Sequence, residues 1–550
     1  MNRPSRRVAA MSGLLLVLLS SVACRTLEAD EVLIRPDSVI VVGDAPSETE
    51  RFAAAELARY LQAITGGTFP VASGSGDATG TVLSVGKTTY SVARGVQFPD
   101  SDVHRDSFVI AADDAAVVLV GGGDRGTLYA VYEFLEQQGC RWFFPGRLGE
   151  VIPRRGQVRA VRGERLYAPD FVQREIDMGS VPGIDVEEVI DWAVKNRLNR
   201  IFGLRDRLVQ RRNEGVPADV WRKRGGAIEW QWICHNFNWM VPSDKHYAEH
   251  PEYFALYNGR RLPLGSEGRP SYGGGNLCTT NPDVVRIAAE FAAGWFDAHP
   301  NGAIVPLWPA DGTVKWCECE ACRALGGENF TSGGEGSMTR RMVSFANAVA
   351  AQLPARHPNR KLLIGAYANY RLPVPDVPID NRVVVQYCFH GCYAHGPEGC
   401  EANRQAAREM DQWASQVPGR LGMWEYFLLG NHYTGAAITP ATLPVASRAR
   451  DTIRFLRERG GKYYFTQSSA KYWKHNILPF FVTARLAWDA DQDFDALLDD
   501  FFDAFYGVAA APLARFHRLI EDATQTGDWH PQVYSDVAAP SPRVFTEENV

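Results

Sequence analysis

The chain has 550 residues, of which 45% are hydrophobic and 11% aromatic, and its formal net charge is −6. This length and apolar content are sufficient for two domains with separate hydrophobic cores. Basic residues form no stripe or block, so the sequence excludes a dedicated nucleic-acid-binding surface. The 14 Trp and 20 Tyr favour flat, partly polar ligands such as sugars, although large cores also contain many aromatics.

The first 24 residues have the pattern of an export signal. Basic residues precede the apolar stretch 13–19, and the small residues Ser21 and Ala23 stand before Cys24. Cys24 resembles the lipid acceptor of a bacterial lipoprotein, with Ser21 where such signals usually have Leu. We therefore predict an exported protein that is periplasmic, extracellular or anchored to a membrane through Cys24, with no internal membrane span.

Residues 30–160 are predicted to form a small α/β domain. Short β-branched runs at 31–34 and 38–42 precede a helix at 47–61 that begins with a polar cap and ends at Gly66. Further strands are predicted at 81–85, 107–111 and 116–121, and a second helix at 126–138. The sequence GGGDR at 121–125 lacks the GxxxxGK[ST] pattern of a phosphate-binding loop, so we interpret it as a strand-to-helix turn.

From residue 171 onward, predicted strands alternate with predicted helices. The strands are 171–176, 198–204, 229–235, 303–308, 361–366, 382–388, 420–426 and 462–466. In the helix at 283–298, Val284, Ile287, Phe291 and Trp295 form the apolar stripe. This alternation predicts a TIM-like (β/α)8 barrel over residues 165–490, followed by a helical extension at 491–530.

Two carboxylates at strand ends are predicted to perform the chemistry. Residues that follow barrel strands share one rim, and these include Asp311 after the fourth strand, Glu425 at the end of the seventh, and Glu175 and Asp177 after the first. A pair of carboxylates is the minimum requirement for glycoside hydrolysis. We predict Asp311 as the general acid and Glu425 as the base or nucleophile, the alternative for each being a structural ion pair.

A further set of rim residues is predicted to bind substrate. Aromatic rings would stack on sugar rings, and polar groups would bind hydroxyls, whereas Arg174 and Arg205 would hold a substrate carboxylate and favour a uronic acid. For both arginines the alternative is an ion pair within the protein. The predicted substrate-binding set is Arg174, His235, Asn236, Trp308, Tyr367, His390, Trp424, Tyr426 and Gln467.

Two groups of cysteines follow the fourth and sixth predicted strands. They are Cys317, Cys319 and Cys322, and Cys388, Cys392 and Cys400, the latter interleaved with His390 and His395. A CxCxxC motif can bind zinc, but export to an oxidising compartment favours disulfides, with free thiols as the third alternative. We therefore predict disulfides, including a cross-link between the two loops, with no metal ion and no cofactor at the site.

Several motifs resemble known families. GTLYAVYEFL at 126–135 and GCRWF at 139–143 resemble the non-catalytic α/β domain that precedes the barrel in family 67 α-glucuronidases and family 20 hexosaminidases. HPEYFAL at 250–256, LCTTNP at 277–282, Asp311 with its CxCxxC motif, and WEY at 424–426 resemble the bacterial family called domain of unknown function 4838. The resemblance spans about residues 30–510 and implies an exported two-domain protein grouped with α-glucuronidase-like glycoside hydrolases.

These observations predict an exported glycoside hydrolase that acts on a polysaccharide or oligosaccharide, with uronic-acid-containing glycans among the candidates. One alternative is a non-catalytic surface carbohydrate-binding protein on a hydrolase scaffold, since a fold does not establish catalysis. A second alternative is a metal-dependent hydrolase that uses the Cys and His clusters.

Overall fold

The structure is a computed structural model that describes residues 31–526 and 530, except 37, 75–80, 99–104, 178–182, 201–217, 227–228, 231–233, 267–268, 301, 327–337, 429–445, 469–472 and 475–476. The predicted signal and its Cys24, and also Arg205, lie outside the described residues. Within the described ranges, no helix combines the length and the apolarity that crossing a bilayer requires.

The N-terminal part is built on a six-stranded mixed sheet in the order β10-β5-β6-β4-β2-β3. The N-terminal strands are β1 Glu31–Ile34, β2 Ile40–Val42, β3 Val71–Ser73, β4 Val82–Val85, β5 Phe108–Ala112, β6 Ala116–Gly121, β7 Arg141–Trp142, β8 Glu150–Val151, β9 Val158–Val161 and β10 Gly163–Tyr167, and the helices are α1 Glu48–Thr65, α2 Thr89–Ala93 and α3 Asp124–Gln137. Successive side chains point to opposite faces: Ile110 and Leu119 join the core of α1 and α3, whereas Val109 and Val118 pack on the other face with Tyr90.

Two local features of this part agree with the sequence predictions. Helix α1 begins with a capping box, in which the Ser47 side chain accepts from the Glu50 N–H and the Glu50 carboxylate accepts from the Ser47 N–H, and it ends at Gly66 with φ 77°. The glycine-rich segment is the turn between β6 and α3. A Cβ at Gly121 would lie 2.1 Å from the backbone N of Thr127, so the close approach of α3 requires glycine there.

The second part is organised around a seven-stranded parallel sheet in the order β11-β22-β21-β20-β19-β17-β12. The remaining strands of the chain are β11 Gln173–Ile176, β12 Glu229–Trp230, β13 Leu256–Tyr257, β14 Arg260–Arg261, β15 Leu264–Ser266, β16 Arg269–Gly275, β17 Gly302–Pro306, β18 Asp311–Lys315, β19 Lys361–Ala366, β20 Val383–Cys388, β21 Leu421–Leu428 and β22 Tyr463–Ser468. From β12 to β22, each strand of this sheet lies beside the next strand of the sheet along the chain, as in a barrel, and the first strand, β11, lies beside the last, β22. The predicted strand at 198–204 contributes a parallel bridge between Arg200 and Glu175, and closure of a complete (β/α)8 barrel stays a prediction because 201–217 are outside the described residues.

Helices flank this sheet as the alternating pattern predicts. They are α4 Val186–Lys195, α5 Ala218–Arg222, α6 Phe237–Met240, α7 Ser243–His246, α8 Pro282–Ala298, α9 Glu320–Ala324, α10 Thr339–Gln352, α11 Glu401–Gln416, α12 Ala446–Glu458, α13 Ile477–Trp488, α14 Phe494–Tyr506 and α15 Ala510–Thr526. The last two helices form the predicted C-terminal extension. The small sheet β15-β16-β18, in which Tyr272 pairs with Asp311, has no counterpart among the predicted strands.

The two parts are joined by buried charges around Asp106. Its carboxylate is 4% exposed and pairs with Arg174 at 2.5 Å and with Arg125 at 2.5 Å, while the Asn199 amide donates to it at 2.8 Å. Burial alone would raise the pKa of Asp106, but the charges of Arg125 and Arg174 lower it to about 2. Arg174 therefore holds the N-terminal part against β11. Its side chain is fully buried, which contradicts the prediction that it contacts substrate.

Candidate functional site

Asp311 lies at the carboxyl end of the parallel sheet. The sequence analysis predicted it in a loop after β17, but it is the first residue of β18. Its side chain is 39% exposed, and its Oδ1 accepts hydrogen bonds from the Gly312 N–H at 2.8 Å and the Tyr367 hydroxyl at 3.2 Å. The carboxylate is thus held by two donors and still reaches solvent, as a group that exchanges protons with a substrate requires.

Six aromatic side chains beside Asp311 form a closed circle, which we call the aromatic ring. Neighbouring centroids lie 4.6–6.2 Å apart, within or near the range for favourable aromatic pairs. The members are, in order, His235, Tyr367, His390, Tyr426, Trp424 and Trp308. All six belong to the predicted substrate-binding set, and the structure brings them together from five strand ends and the loops that follow.

The members of the aromatic ring lie at two depths. Trp308, Trp424 and Tyr426 are 1%, 7% and 4% exposed, so they form the floor. His235, Tyr367 and His390 are only partly buried and form the wall nearest solvent. Gln467, also partly buried, accepts a hydrogen bond from the indole N–H of Trp424 at 3.2 Å. The result is an apolar floor with polar groups at its edge, which is the usual composition of a small-ligand site.

His235 is oriented by the backbone. Its Nδ1 lies 2.6 Å from the carbonyl oxygen of Pro309 and its Nε2 lies 3.7 Å from Asp311 Oδ1. Burial lowers the pKa of His235, an effect that the Asp311 charge opposes, so we assign the neutral ring. A carbonyl can only accept, so Nδ1 carries the proton and Nε2 presents a lone pair toward Asp311.

Two of the four described non-glycine residues with positive φ lie beside Asp311. His235 has φ 48° and Ala368, which follows Tyr367, has φ 47°. Side chains other than glycine rarely adopt this left-handed region, and such strain persists where the surrounding structure enforces it, often at functional sites. Both strained residues adjoin the groups that contact Asp311.

Further titratable groups near the aromatic ring are uncharged at neutral pH. Burial, and then the charge of Arg371, lower the pKa of His390 to about 4. Burial also raises the pKa of the Cys388 thiol. For Cys234, burial and then the charges of Asp311, Cys388 and Asp177 raise the thiol pKa well above its usual value. These groups can exchange hydrogen bonds with sugar hydroxyls, but the thiols are poor nucleophiles because little thiolate is present.

Asn236 supports the floor of the site and does not face a substrate. Its side chain is fully buried, its amide donates to the Pro306 carbonyl at 2.6 Å, and its oxygen accepts from the Trp308 N–H at 3.1 Å. These bonds hold the backbone between β17 and Asp311. The predicted substrate-binding role of Asn236 is therefore replaced by a positioning role.

Glu425 has a different position from the one predicted. Its side chain and that of Arg448 are both fully buried and form an ion pair, and its second oxygen accepts from the Tyr426 N–H at 2.7 Å. The guanidinium of Arg448, on α12, also donates to the His395 carbonyl. A carboxylate enclosed in this way does not reach a sugar, so this geometry contradicts the prediction that Glu425 is the base or nucleophile.

Another carboxylate occupies the rim instead. Asp177 directly follows β11, is 7% exposed, and its backbone N–H donates to the Thr466 carbonyl at 2.9 Å. Its charge and that of Asp311 both raise the pKa of the Cys234 thiol. Its neighbour Glu175 is fully buried and pairs with Arg200. The sequence placed Asp177 on the rim but did not distinguish it from Glu175.

The predicted disulfides are wrong for the described cysteines, all nine of which are free thiols. The loops after β17 and β20 are not cross-linked to each other. Each forms a separate cluster with a partner distant in sequence. The clusters are Cys278, Cys317, Cys319 and Cys322, and Cys392, His395, Cys400 and His530.

Solved structures share the fold. A family GH115 4-O-methyl-α-glucuronidase, BtGH115A, with specificity for decorated arabinogalactans, aligns with TM-score 0.55 and 13% identity over 90% of this chain. A GH138 enzyme that targets pectin rhamnogalacturonan II aligns with TM-score 0.49 and 13% identity, over 89% of this chain and 55% of that enzyme. The Flavobacterium johnsoniae chitobiase FjGH20 aligns with TM-score 0.47 and 11% identity, over 90% of this chain and 72% of the chitobiase. The alignment spans 62% of the length of BtGH115A. At such identities the first likeness shows the fold alone, and the other two are too distant to argue from.

Sequence comparison assigns most of the chain to known families. No curated protein matches it. The model for the N-terminus of glycosyl hydrolase family 67 matches residues 24–134, which agrees with the resemblance found in the motifs. The model described as domain of unknown function DUF4838 matches residues 144–518, and the chain belongs to that family.

Proposed function

We propose that this chain is an exported glycoside hydrolase in which Asp311 is the general acid. The observation that carries the proposal is the placement of a partly exposed carboxylate against a closed circle of aromatic rings at the carboxyl end of a parallel sheet. The apolar faces of a pyranose ring fit such an aromatic floor, and the neighbouring polar groups match its hydroxyls. The predicted export signal at 1–24 supplies the proposed location.

The surroundings of Asp311 offer an acceptor for the proton of an acid. In the neutral tautomer assigned to His235, Nε2 accepts and does not donate, and it lies 3.7 Å from Asp311 Oδ1. When a glycosidic oxygen replaces this acceptor, Asp311 can transfer the proton to it as the bond to the sugar breaks.

We assign the second carboxylate role to Asp177. Glu425 is enclosed with Arg448, whereas Asp177 follows β11 and Asp311 follows β17, two strands of the same parallel sheet. A carboxylate on the same rim can activate water or attack the anomeric carbon. The pair Asp311 and Asp177 thus replaces the predicted pair Asp311 and Glu425.

We propose uronic-acid-containing glycans as the first substrates to examine. This choice is supported by the match to the family 67 N-terminus and by the likeness to BtGH115A, itself a 4-O-methyl-α-glucuronidase. A uronate carboxylate requires a cation at the site. Arg174 is buried with Asp106, so Arg205 remains the predicted cation.

The test is a turnover screen with substrates that differ in leaving group. Aryl and oligosaccharide α-glucuronides, with neutral aryl glycosides beside them, are incubated with wild type, Asp311→Asn, Asp177→Asn and the exposed control Asp495→Asn. Loss of the acid should cost about 10²–10⁴-fold on natural glycosides and far less on dinitrophenyl glycosides, whose leaving group needs no proton. Asp177→Asn should impair both kinds of substrate. Equal activity of wild type and Asp311→Asn on a poor leaving group would refute the assignment.

A carbohydrate-binding protein without turnover is the second candidate. The observation that favours it is the burial of Glu425. Of the two carboxylates that the sequence predicts to be catalytic, Asp311 then is the one that contacts the aromatic ring. This candidate predicts saturable binding of a glycan with no product from any substrate, and the Asp311→Asn variant would then bind nearly as well as the wild type.

A further inference from the structure

Four cysteine sulfurs meet at one point beside β18, and we call them the four-cysteine cluster. Its members are Cys278, Cys317, Cys319 and Cys322, and their sulfur atoms all lie within 4.8 Å of one another. The distance from Cys278 Sγ to Cys319 Sγ is 3.6 Å and to Cys322 Sγ is 3.9 Å. A disulfide bond is about 2.05 Å long, so these pairs are in contact without a bond between them.

The spacing of the sulfurs matches the coordination geometry of zinc. A tetrahedral site with Zn–S bonds of about 2.3 Å has S···S edges of about 3.8 Å, between the two measured distances. We propose that the four-cysteine cluster binds one Zn²⁺ ion. Four protein ligands leave no position for water or substrate, so the ion is structural and does not take part in hydrolysis.

The surroundings of the cluster are suited to thiolates. The Leu256 N–H donates to Cys317 Sγ at 3.3 Å, and the Arg261 guanidinium lies 3.8 Å from the same sulfur. The Thr280 hydroxyl lies 3.2 Å from Cys322 Sγ. Donors directed at ligand atoms orient metal ligands and offset the negative charge that four thiolates leave around a divalent ion.

The position of the cluster indicates what the ion does. Three of its cysteines directly follow β18, which begins with Asp311, and Cys278 lies just before α8. Arg341, 3% exposed, fixes the same segment by donating to the Cys317 carbonyl at 2.7 Å. The ion therefore links the segment that carries Asp311 to the start of α8.

A second group of ligands independently supports another zinc ion. The ligand atoms of the Cys/His cluster, which consists of Cys392, His395, Cys400 and His530, also lie within 4.8 Å of one another. His395 Nε2 donates to the Gln525 carbonyl at 3.1 Å. Nδ1 therefore carries the lone pair, and it lies 3.2 Å from Cys392 Sγ. A backbone acceptor on the other ring nitrogen is the usual partner of a metal-bound histidine. We propose a second structural zinc here that ties the loop after β20 to the chain beyond α15.

The test measures metal content, cobalt spectra and thiol state. Purified wild-type protein should contain two zinc equivalents per chain by mass spectrometry of the elements. Cys322→Ser should contain one, His530→Ala should also contain one, and Cys140→Ala, which removes a buried thiol outside both clusters, should retain two. Cobalt-substituted protein should show stronger sulfur-to-cobalt charge-transfer absorption from the four-cysteine cluster than from the Cys/His cluster, because the former has more thiolates.

Each outcome decides one of the two sites. If Cys322→Ser does not fold, the wild-type cobalt spectrum still reports whether an all-sulfur site exists. One equivalent of zinc with only the mixed spectrum would overturn the four-cysteine site, and one equivalent with only the all-sulfur spectrum would overturn the Cys/His site. Zinc-free protein with the clustered cysteines oxidised to disulfides would overturn both sites, and iron in place of zinc at one site would overturn the proposal for that site. These readouts do not depend on hydrolase activity, so they remain valid if the proposed function fails.

Discussion

The buried pair of Glu425 and Arg448 gives the sharpest test of how the site is built. In Glu425→Gln the shape is kept but the charge is removed, and the fully buried Arg448 guanidinium then has no ion-pair partner among the described residues. Removing one partner of a buried ion pair typically costs about 3–5 kcal/mol, because the other charge stays desolvated. We therefore expect the free energy of unfolding to fall by about 3–5 kcal/mol, while the folded variant retains its turnover.

The assay is urea unfolding followed by tryptophan fluorescence, together with turnover below the transition. Glu290→Gln is the control, because its ion pair with Arg286 has partners that are 63% and 48% exposed and should contribute little to stability. Replacing both charges, with Glu425→Leu and Arg448→Met, should recover much of the lost stability. Unchanged stability with abolished turnover in Glu425→Gln would refute this reasoning and return Glu425 to the catalytic pair.

Three further predictions concern the aromatic ring and its supports. The pKa of His390 is about 4 in the folded protein and about 6.5 in the unfolded chain. As pH falls through this window the unfolded state binds the proton first, so wild type should lose up to about 3 kcal/mol between pH 7 and 4, and His390→Gln should lose less in acid denaturation curves. A Cβ at Gly365 would lie 2.1 Å from the Trp308 ring, so Gly365→Ala should lower turnover in kinetic assays, whereas Gly294→Ala, with nothing within 4 Å, should be neutral or stabilising. Asn236→Ala should cost about 1–3 kcal/mol in urea unfolding because it leaves the buried backbone N–H of Trp308 without its acceptor.

The sequence predicted most of the parallel strands well because they are short, mainly apolar runs between polar turns, as in β19 and β20, whereas β11, with the sequence QREI, is mostly polar. It missed β18, whose sequence DGTVK is short, polar and glycine-containing, and which forms only by pairing with β16. It predicted the buried face of α8 only in part. Val284 is fully buried, but Ile287, Phe291 and Trp295 pack against the core only partly buried. Ala288 and Ala292 are fully buried, because small side chains allow a helix to pack closely, a preference that hydrophobicity alone does not reveal.

The sequence itself indicates that Glu425 points away from the aromatic ring, because it stands between Trp424 and Tyr426 on one strand. Successive side chains of a strand point to opposite faces, so a strand that directs Trp424 and Tyr426 toward the aromatic ring must direct Glu425 away from it. By the same rule, the side chain of Arg174 points to the opposite face of β11 from those of Gln173 and Glu175. The sequence gives no such signal for the partners of the clustered cysteines. Cys278 is far in sequence from the CxCxxC motif, and His530 is far from Cys392 and Cys400, so only the folded chain brings them together.

The buried ion pair between Asp106 and Arg174 limits how this protein can change during evolution. Exchange of the N-terminal part with that of a relative lacking the aspartate would leave the buried guanidinium group of Arg174 without its anion. Such a hybrid would lose more stability than most single substitutions cost. We expect the two parts to have been inherited together, with the aspartate and its arginines changing only as a set, so the N-terminal part behaves as an integral layer of the fold and not as an interchangeable attachment.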